Sequence, residues 1–308
     1  MLDAKAILLA ALGLTSVLFA AVWGAAIRQT LAEPDPSAPD GRALPDAWEL
    51  LVGLVTDFFD TLGIGSFATT TALYRLGAAL APSQRWIRHR MDDALIPGTL
   101  NVGHTIPTFL QAFIYTQLIE VDATTLVLMI AAAVAGAFLG AGWVANLDRR
   151  RVQLGMGIAL LVAALVTLLR ALHVIPGGDA IELRGALLAA GLVGNFALGA
   201  LMTIGVGLYG PCLLLVSLLG MNPTAAFPIM MGSCAFLMPV ANVQFIRHRR
   251  YALPAALGLT LAGTPAVWVA AKWVESMDLD TVQWLVVVVV VYTGATMLRA
   301  GLRPTAPA

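Results

Sequence analysis

The sequence predicts an all-α integral membrane protein, in which one N-terminal helix precedes two inverted repeats. Composition supports the membrane assignment, because 59% of the 308 residues are hydrophobic and only 12% are charged, whereas about 25% are charged in a soluble domain. Several apolar runs also exceed the ~20 residues that a helix needs to cross a bilayer. Finally, short motifs of the first half recur in the same order in the second half.

The apolar runs divide the chain into nine segments. The first, Ala6–Ile27, is longer than the ~7–15-residue apolar core of a cleaved signal peptide, so we expect a retained helix. We assign residues 1–47 to this helix and a Pro-rich loop, 48–175 to the first repeat and 185–302 to the second. The segments span about residues 6–27, 48–81, 94–119, 123–145, 152–175, 185–219, 224–246, 251–274 and 281–302.

Two segments, 48–81 and 185–219, are too long for a single crossing. Each has about 34–35 residues and would reach ~50 Å as one helix, whereas the apolar core of a bilayer is ~30 Å thick. Both contain a glycine-rich stretch near the middle. We therefore expect each to form a re-entrant pair of half-helices, joined by a non-helical turn within the membrane.

The motifs at these turns begin an ordered series of internal matches. Thr61–Phe67 and Thr203–Tyr209 share the pattern Thr, aliphatic, Gly, aliphatic, Gly, any residue, aromatic. Further matches follow at offsets of about 127–130 residues, which indicates a duplication. They pair Ala135-Gly136 with Ala262-Gly263, Val152-Gln153 with Val282-Gln283, and Leu169-Arg170 with Leu298-Arg299.

The placement of Lys and Arg predicts the topology. Basic residues concentrate in loops 85–90, 149–151 and 247–250, whereas loops 120–122 and 275–280 carry acids only. The basic loops all lie on the cytoplasmic side, as the positive-inside rule requires, only if both long segments re-enter. Each repeat then has three crossings besides its hairpin, so the repeats are inverted and the N-terminus faces outward. Inverted repeats with broken helices are typical of secondary transporters.

Candidate substrate-binding residues lie at the two turns and on the helix that follows each turn. Glycine allows close backbone approach, and the start of a half-helix binds an anion through free N–H groups and the helix dipole. The alternative is that Gly, Ser and Thr only allow close helix packing here. The candidates are Thr61, Gly63, Gly65, Ser66, Thr69 and Thr70 at the first turn, Thr203, Gly205, Gly207 and Tyr209 at the second, and Asn101, Ser233 and Gln244 on the following helices.

Three ionisable residues are candidates for binding a coupling ion. Asp57 and Asp60 share one helical face, and an acid within a membrane segment is a functional-site hypothesis by default. His104 could relay a proton near neutral pH. Alternatively, the acids lie near the interface or pair with Arg75, and His104 only bonds a neighbouring helix. The second repeat has no acid at the matching positions.

The second turn and the helix after it carry a resemblance to a known family. The stretch from Gly205 to Cys234, which runs from Gly-Val-Gly-Leu-Tyr-Gly-Pro-Cys to Met-Gly-Ser-Cys, resembles the sulfite exporter TauE/SafE family. Gly63–Phe67 and Gly98-Thr99 are looser matches in the first half, and the resemblance covers about residues 48–302. It implies movement of a small anion, such as sulfite, a sulfonate or a related organosulfur compound, across the bacterial cytoplasmic (inner) membrane. The turns Gly-Ile-Gly-Ser and Gly-Val-Gly-Leu-Tyr depart from the triple glycine of the family, which leaves the choice of anion open.

Other classes of function fit the sequence less well. A net charge of zero gives no basis for a nucleic-acid partner, and no Gly-x-x-x-x-Gly-Lys-Ser/Thr loop is present for ATP. An intramembrane enzyme would need Arg or Glu within the segments, or a Ser–His or paired-Asp arrangement, so we predict no enzyme. Cys212 and Cys234 match no disulfide or zinc pattern and are interpreted as small buried hydrophobic residues.

The sequence therefore predicts a secondary transporter that needs no cofactor or metal. A passive anion channel and a structural membrane subunit are the alternatives. The expected partners are a small anionic substrate and membrane lipid, and a homo-oligomer is left open.

Overall fold

The computed structural model describes residues 4–32, 44–80, 95–144, 149–172, 178–202, 207–277 and 279–302. Within these ranges the regular secondary structure is helical, and the only strand-like pairing is an isolated bridge between Ala180 and Met221. Four described helices are long and apolar enough to span a membrane. They are Ala4–Ala32, Gly185–Met202, Pro223–Arg247 and Leu253–Glu275. The predicted all-α membrane class is therefore confirmed.

The helices follow the predicted apolar segments closely, and both long segments are divided. In chain order they are α1 (Ala4–Ala32), α2 (Ala47–Thr61), α3 (Ser66–Leu80), α4 (Ile96–Leu118), α5 (Ala123–Val144), α6 (Arg149–Ala171), α7 (Gly185–Met202), α8 (Tyr209–Leu218), α9 (Ala226–Arg247), α10 (Leu253–Glu275) and α11 (Leu279–Leu302). A short 3-10 helix, Pro223–Ala225, precedes α9.

The first long segment begins with a reciprocal cap and is interrupted at glycine. The backbone N–H of Asp46 donates to Glu49 Oε2 at 2.7 Å, and the backbone N–H of Glu49 donates to Asp46 Oδ1 at 2.9 Å, which together form a capping box. At the end of α2, Gly63 and Gly65 adopt φ angles of 92° and 86°. L-residues rarely adopt this conformation, so glycine at these two positions allows the chain to turn before α3 begins.

The second long segment is divided between α7 and α8. Helix α7 ends at Met202 and α8 begins at Tyr209, while Thr203–Val206 lie outside the described residues. The candidates Thr203 and Gly205 fall in that undescribed stretch. Gly207 is described and does not have a positive φ.

Contacts divide the chain into two compact units, and each unit combines parts of both predicted repeats. Unit 1 consists of Met1–Thr61, Gly65–Ile114 and Cys234–Trp273, and unit 2 of Leu62–Ile64, Tyr115–Ser233 and Val274–Ala308. The two residue ranges assigned to the repeats remain a prediction, because a division of the chain by contacts does not test whether the two ranges arose by duplication.

In unit 1, α2 packs closely against α10 through small residues. A Cβ atom on Gly53 would overlap the backbone of Gly258, and a Cβ on Gly258 would overlap the backbone of Glu49. Because helices in lipid associate through van der Waals contact, such glycines allow two backbones to approach. A buried cluster that includes Trp48 and Leu259 surrounds this contact.

In unit 2, α5 packs against α7 in the same way. A Cβ on Gly136 would overlap the carbonyl group of Phe196, and a Cβ on Gly199 would overlap the carbonyl group of Ala133. Helices α6 and α11 also meet at glycine, because a Cβ on Gly157 would stand 2.8 Å from the backbone nitrogen of Leu298. The glycines of unit 2 thus fix the spacing of two helix pairs.

We expect Gly136→Ala to destabilise the protein by about 1–3 kcal/mol, because the added methyl group would press on a backbone carbonyl that cannot rotate away. Thermal unfolding in detergent measures the effect. Gly155→Ala on α6 is the matched control, since no heavy atom lies within 4 Å of its Cβ position. Equal melting temperatures for the two variants would contradict the close contact between α5 and α7.

Candidate functional site

A carboxylate, an imidazole and a hydroxyl form a buried row of hydrogen-bonded side chains in unit 1. Nδ1 of His104 lies 2.8 Å from Oδ1 of Asp57, and Nε2 of His104 lies 3.0 Å from Oγ1 of Thr70. All three residues have 0% relative exposure. His104 on α4 is therefore hydrogen-bonded to two neighbouring helices, α2 through Asp57 and α3 through Thr70.

The second oxygen of Asp57 lies against α10. This atom, Oδ2, is buried and has no hydrogen-bond partner among the described residues. It faces Gly263, where a Cβ atom would overlap it. The absence of a side chain at position 263 therefore provides the space that the carboxylate occupies.

Asp60, one turn after Asp57 on α2, is surrounded by hydrogen-bond donors. Nε2 of Gln111 donates to Asp60 Oδ2 at 2.9 Å and lies 3.0 Å from Oγ1 of Thr61. The side chain and the backbone of Ser66 also hydrogen-bond to Asp60. Because Ser66 is the first residue of α3, the protein's own carboxylate interacts with the positive end of this half-helix.

A proline contributes a further polar contact to the same region. Pro107 lies inside α4 and has no N–H to donate to the carbonyl of Gly103, one turn earlier. Oγ1 of Thr260 on α10 donates to that carbonyl instead, at 2.7 Å. Nearby on α4, Oγ1 of Thr105 accepts from Nδ2 of Asn242 on α9 at 2.6 Å. Both contacts satisfy groups that lipid could not.

Most of the predicted hydroxyl donors at the first turn are used within the protein. Oγ1 of Thr69 donates to the carbonyl of Ser66 at 2.8 Å, and Oγ1 of Thr61 donates to the carbonyl of Asp57 at 2.6 Å. Asn101 donates to the carbonyl of Pro97. Gly65 differs from these residues, because no heavy atom lies within 4 Å of its Cβ position.

The described candidates of the second repeat do not all occupy similar environments. Gly207 is exposed and has no heavy atom within 4 Å of its Cβ position, whereas Tyr209 at the start of α8 is buried. Ser233 is buried and donates to the carbonyl of Ile229 at 2.7 Å. Gln244 is exposed near the end of α9, so the structure does not bring it into the buried cluster of Asp57, Asp60 and His104.

The family model described as "Sulfite exporter TauE/SafE" matches residues 49–297 of the chain. The chain belongs to the sulfite exporter TauE/SafE family. No curated protein and no solved structure matches it.

In this member of the TauE/SafE family, the buried cluster offers proton-binding groups and N–H donors. The described residues contain no group of three or more His, Cys, Asp or Glu side chains that could hold a metal ion. Both cysteines are buried and carry no disulfide. Such an arrangement can bind protons and stabilise negative charge.

Gln111 and Gly263, which contact the two acids of the cluster, were not selected as site residues from the sequence, and neither was Asn242, which bonds Thr105 on α4. Gln111 stands two turns after His104 on α4, a spacing that places both on one helical face and could have identified it. Asn242 and Gly263 lie far along the chain from α2, and no local pattern pairs them with it.

We expect Gln111→Leu to lower the stability of this TauE/SafE protein by about 1–3 kcal/mol, because it removes donors from a buried carboxylate. Unfolding in detergent measures the loss, and Gln117→Leu, at an exposed position of the same helix, is the control. Adding Asp60→Asn to Gln111→Leu should recover part of the loss. A double variant no more stable than Gln111→Leu would contradict the assigned contact.

Proposed function

We propose that this TauE/SafE protein is a secondary transporter of a small anion, namely sulfite, a sulfonate or a related organosulfur compound, in the bacterial cytoplasmic (inner) membrane. One observation carries the proposal. A helix in an apolar, membrane-type chain is broken at Leu62–Gly65. The break lies next to Asp60, which belongs to the buried cluster and interacts with Ser66 and Gln111. Irregular backbone at membrane depth is tolerated where protein or a polar cavity surrounds it.

In this proposal, each of the two interrupted helices supplies groups that can bind an anion. The motif match aligns Gly65 with Gly207, and each has open space at its Cβ position. The first turn contributes Thr61, Gly63, Gly65, Ser66, Thr69 and Thr70, the second contributes Thr203, Gly205, Gly207 and Tyr209, and the following helices contribute Asn101, Ser233 and Gln244. Backbone N–H groups and hydroxyls at such turns can bind an oxyanion without a buried Lys or Arg.

The two inverted repeats are part of the same proposal. The matched glycines Gly136 and Gly263 support it through the helices on which they pack. Gly136 packs on α7 and Gly263 packs on α2, and each of these helices precedes one of the interruptions. Inverted repeats with broken helices are typical of secondary transporters, and the basic loops lie on the cytoplasmic side in this proposal.

A passive anion channel is the second candidate, and the two differ in one kinetic property. A transporter exchanges unlabelled substrate inside a vesicle for labelled substrate outside, so preloading stimulates uptake. A channel shows no such stimulation.

The decisive experiment measures labelled sulfite and a labelled alkanesulfonate in proteoliposomes. We expect saturable uptake that preloading stimulates. We also expect Asp60→Asn to change the rate of this uptake, because Asp60 interacts with the start of α3. Uptake equal to that of protein-free liposomes for every sulfur anion tested would contradict the proposal, and uptake without stimulation would favour the channel.

Gly207→Ala should reduce anion uptake while leaving expression and melting temperature near those of the parent protein. Gly207 has no positive φ, and no heavy atom of the described residues lies within 4 Å of its Cβ position, so a methyl group fits but occupies the open space at the turn. Gly155→Ala, in an equally open position on α6, is the control. Unchanged uptake in Gly207→Ala would remove this glycine from the proposed binding region.

A further inference from the structure

We infer that the buried pair formed by Asp57 and His104 carries a proton together with the anion, so that the coupling ion is H⁺ rather than Na⁺. The inference rests on the proposed function, because it concerns how the same transporter is driven. Its basis is the arrangement of Asp57, His104, Thr70 and Asp60 in unit 1.

The hydrogen bonds identify the nitrogen that exchanges the proton. Nδ1 of His104 lies 2.8 Å from Asp57 Oδ1. Because an ionised carboxylate can only accept, Nδ1 carries a hydrogen and donates it in both charge states of the imidazole. The neutral ring then accepts from the Thr70 hydroxyl at Nε2, whereas the protonated ring donates to Thr70 Oγ1. Proton uptake therefore forms one N–H bond at Nε2 and reverses one hydrogen bond to α3, the half-helix that follows the first turn. Proton release breaks that N–H bond again.

The ligand chemistry favours H⁺ over Na⁺. A sodium ion needs several oxygen atoms directed at it, such as the carbonyls of unwound helices. Here Oδ1 of Asp57 faces the imidazole, and Asp60 faces the amide of Gln111 and the hydroxyl and backbone of Ser66. The remaining oxygen of Asp57 lies against Gly263, with no second oxygen ligand beside it among the described contacts. An N–H group repels a cation, but it stabilises a carboxylate whose partner gains or loses a proton.

Charge balance links the proton to the anion. With a neutral imidazole, Asp57 and Asp60 place two negative charges in a fully buried cluster, and each uncompensated buried ion costs several kcal/mol. A substrate anion at the start of α3 would add a third charge. One proton on the pair removes one charge, so protonation favours anion binding, and by linkage anion binding favours protonation to the same extent.

The groups that face the pair determine the sign of the pH effect. Asp60 acts on both His104 and Asp57, and Tyr74 on α3 lies close enough to Asp57 and Glu49 to interact with both. From α10 the described neighbours are Gly263 and the hydroxyl of Thr260, which carry no charge. The side chain of Arg75 on α3 lies outside the described residues. Asp60 places a negative charge beside the pair, which favours its protonated form, so lower pH on the substrate side should increase uptake.

The test uses proteoliposomes that contain a pH-sensitive dye and are supplied with a labelled alkanesulfonate. A sulfonate stays ionised across the pH range, so any proton movement belongs to the protein and not to the substrate. With acid outside, we expect accumulation of the sulfonate and acidification of the interior at a fixed ratio, whereas a sodium gradient at equal pH should drive neither.

Asp57→Asn separates coupling from folding. It keeps the size of the side chain and an acceptor for Nδ1–H, but it removes the charge that holds the proton. We expect it to lose accumulation driven by the pH gradient and to retain exchange of labelled for unlabelled sulfonate at equal pH, which a misfolded protein could not perform. Asp179→Asn, at an exposed position, should behave like the parent protein.

The outcomes separate this inference from the proposed function. Exchange that occurs without any proton movement in the parent protein would overturn the inference and leave anion transport intact. The same holds if Asp57→Asn still accumulates the sulfonate in response to the pH gradient. Absence of both exchange and uptake for sulfonate and sulfite would overturn the proposed function itself. If Asp57→Asn does not fold, the proton-to-anion ratio of the parent protein decides alone.

Discussion

A charged side chain inside an apolar helical protein must be compensated by the protein itself, and this constraint explains the region around α2. Both Asp57 and Asp60 are buried within the protein. Each carboxylate therefore has dedicated partners on other helices, an imidazole for Asp57 and an amide for Asp60. The contact between α2 and α10 meets the same requirement by steric means, because a glycine at position 263 provides the volume that one carboxylate needs. Packing and electrostatics are thus satisfied by the same few positions.

The two halves of the chain both interrupt a long apolar segment, but they differ in the residues on the helix before the interruption. Aligning Thr61 with Thr203 places Gly199 opposite Asp57. In unit 1 the acid lies on the helix before the turn and the glycine lies on its neighbour. In unit 2 the glycine itself lies on the helix before the turn, against the carbonyl of Ala133. The glycine at the position that matches Asp57 leaves no carboxylate there on α7, so the two helices before the interruptions differ in charge.

Much of the fold could be predicted from the sequence, because membrane helices require long apolar runs and glycine interrupts them for a local reason. The divisions at Gly63 and Gly65 and between α7 and α8 were visible in segment length and composition alone. The polar partners of the buried acids were harder to predict from the sequence. His104 was a candidate, but its contacts with Asp57 and Thr70 depend on how three helices pack. The pairing of Pro107 with Thr260, through the carbonyl of Gly103, joins residues more than 150 positions apart, and no periodicity reports such a pair.

The position of Thr70 connects the charge of the cluster to the proposed substrate turn. Thr70 lies in the first turns of α3, and Ser66 at the start of the same helix interacts with Asp60. A change in the direction of the bond between Thr70 and His104 alters the interactions of α3, and its first residue belongs to the region where the anion is proposed to bind. Because α3 is a separate helix and not a continuation of α2, its interactions can change without disturbing a hydrogen-bond ladder that spans both. The break in the helix therefore makes α3 a separate half-helix, and two of its residues, Ser66 and Thr70, contact Asp60 and His104, respectively.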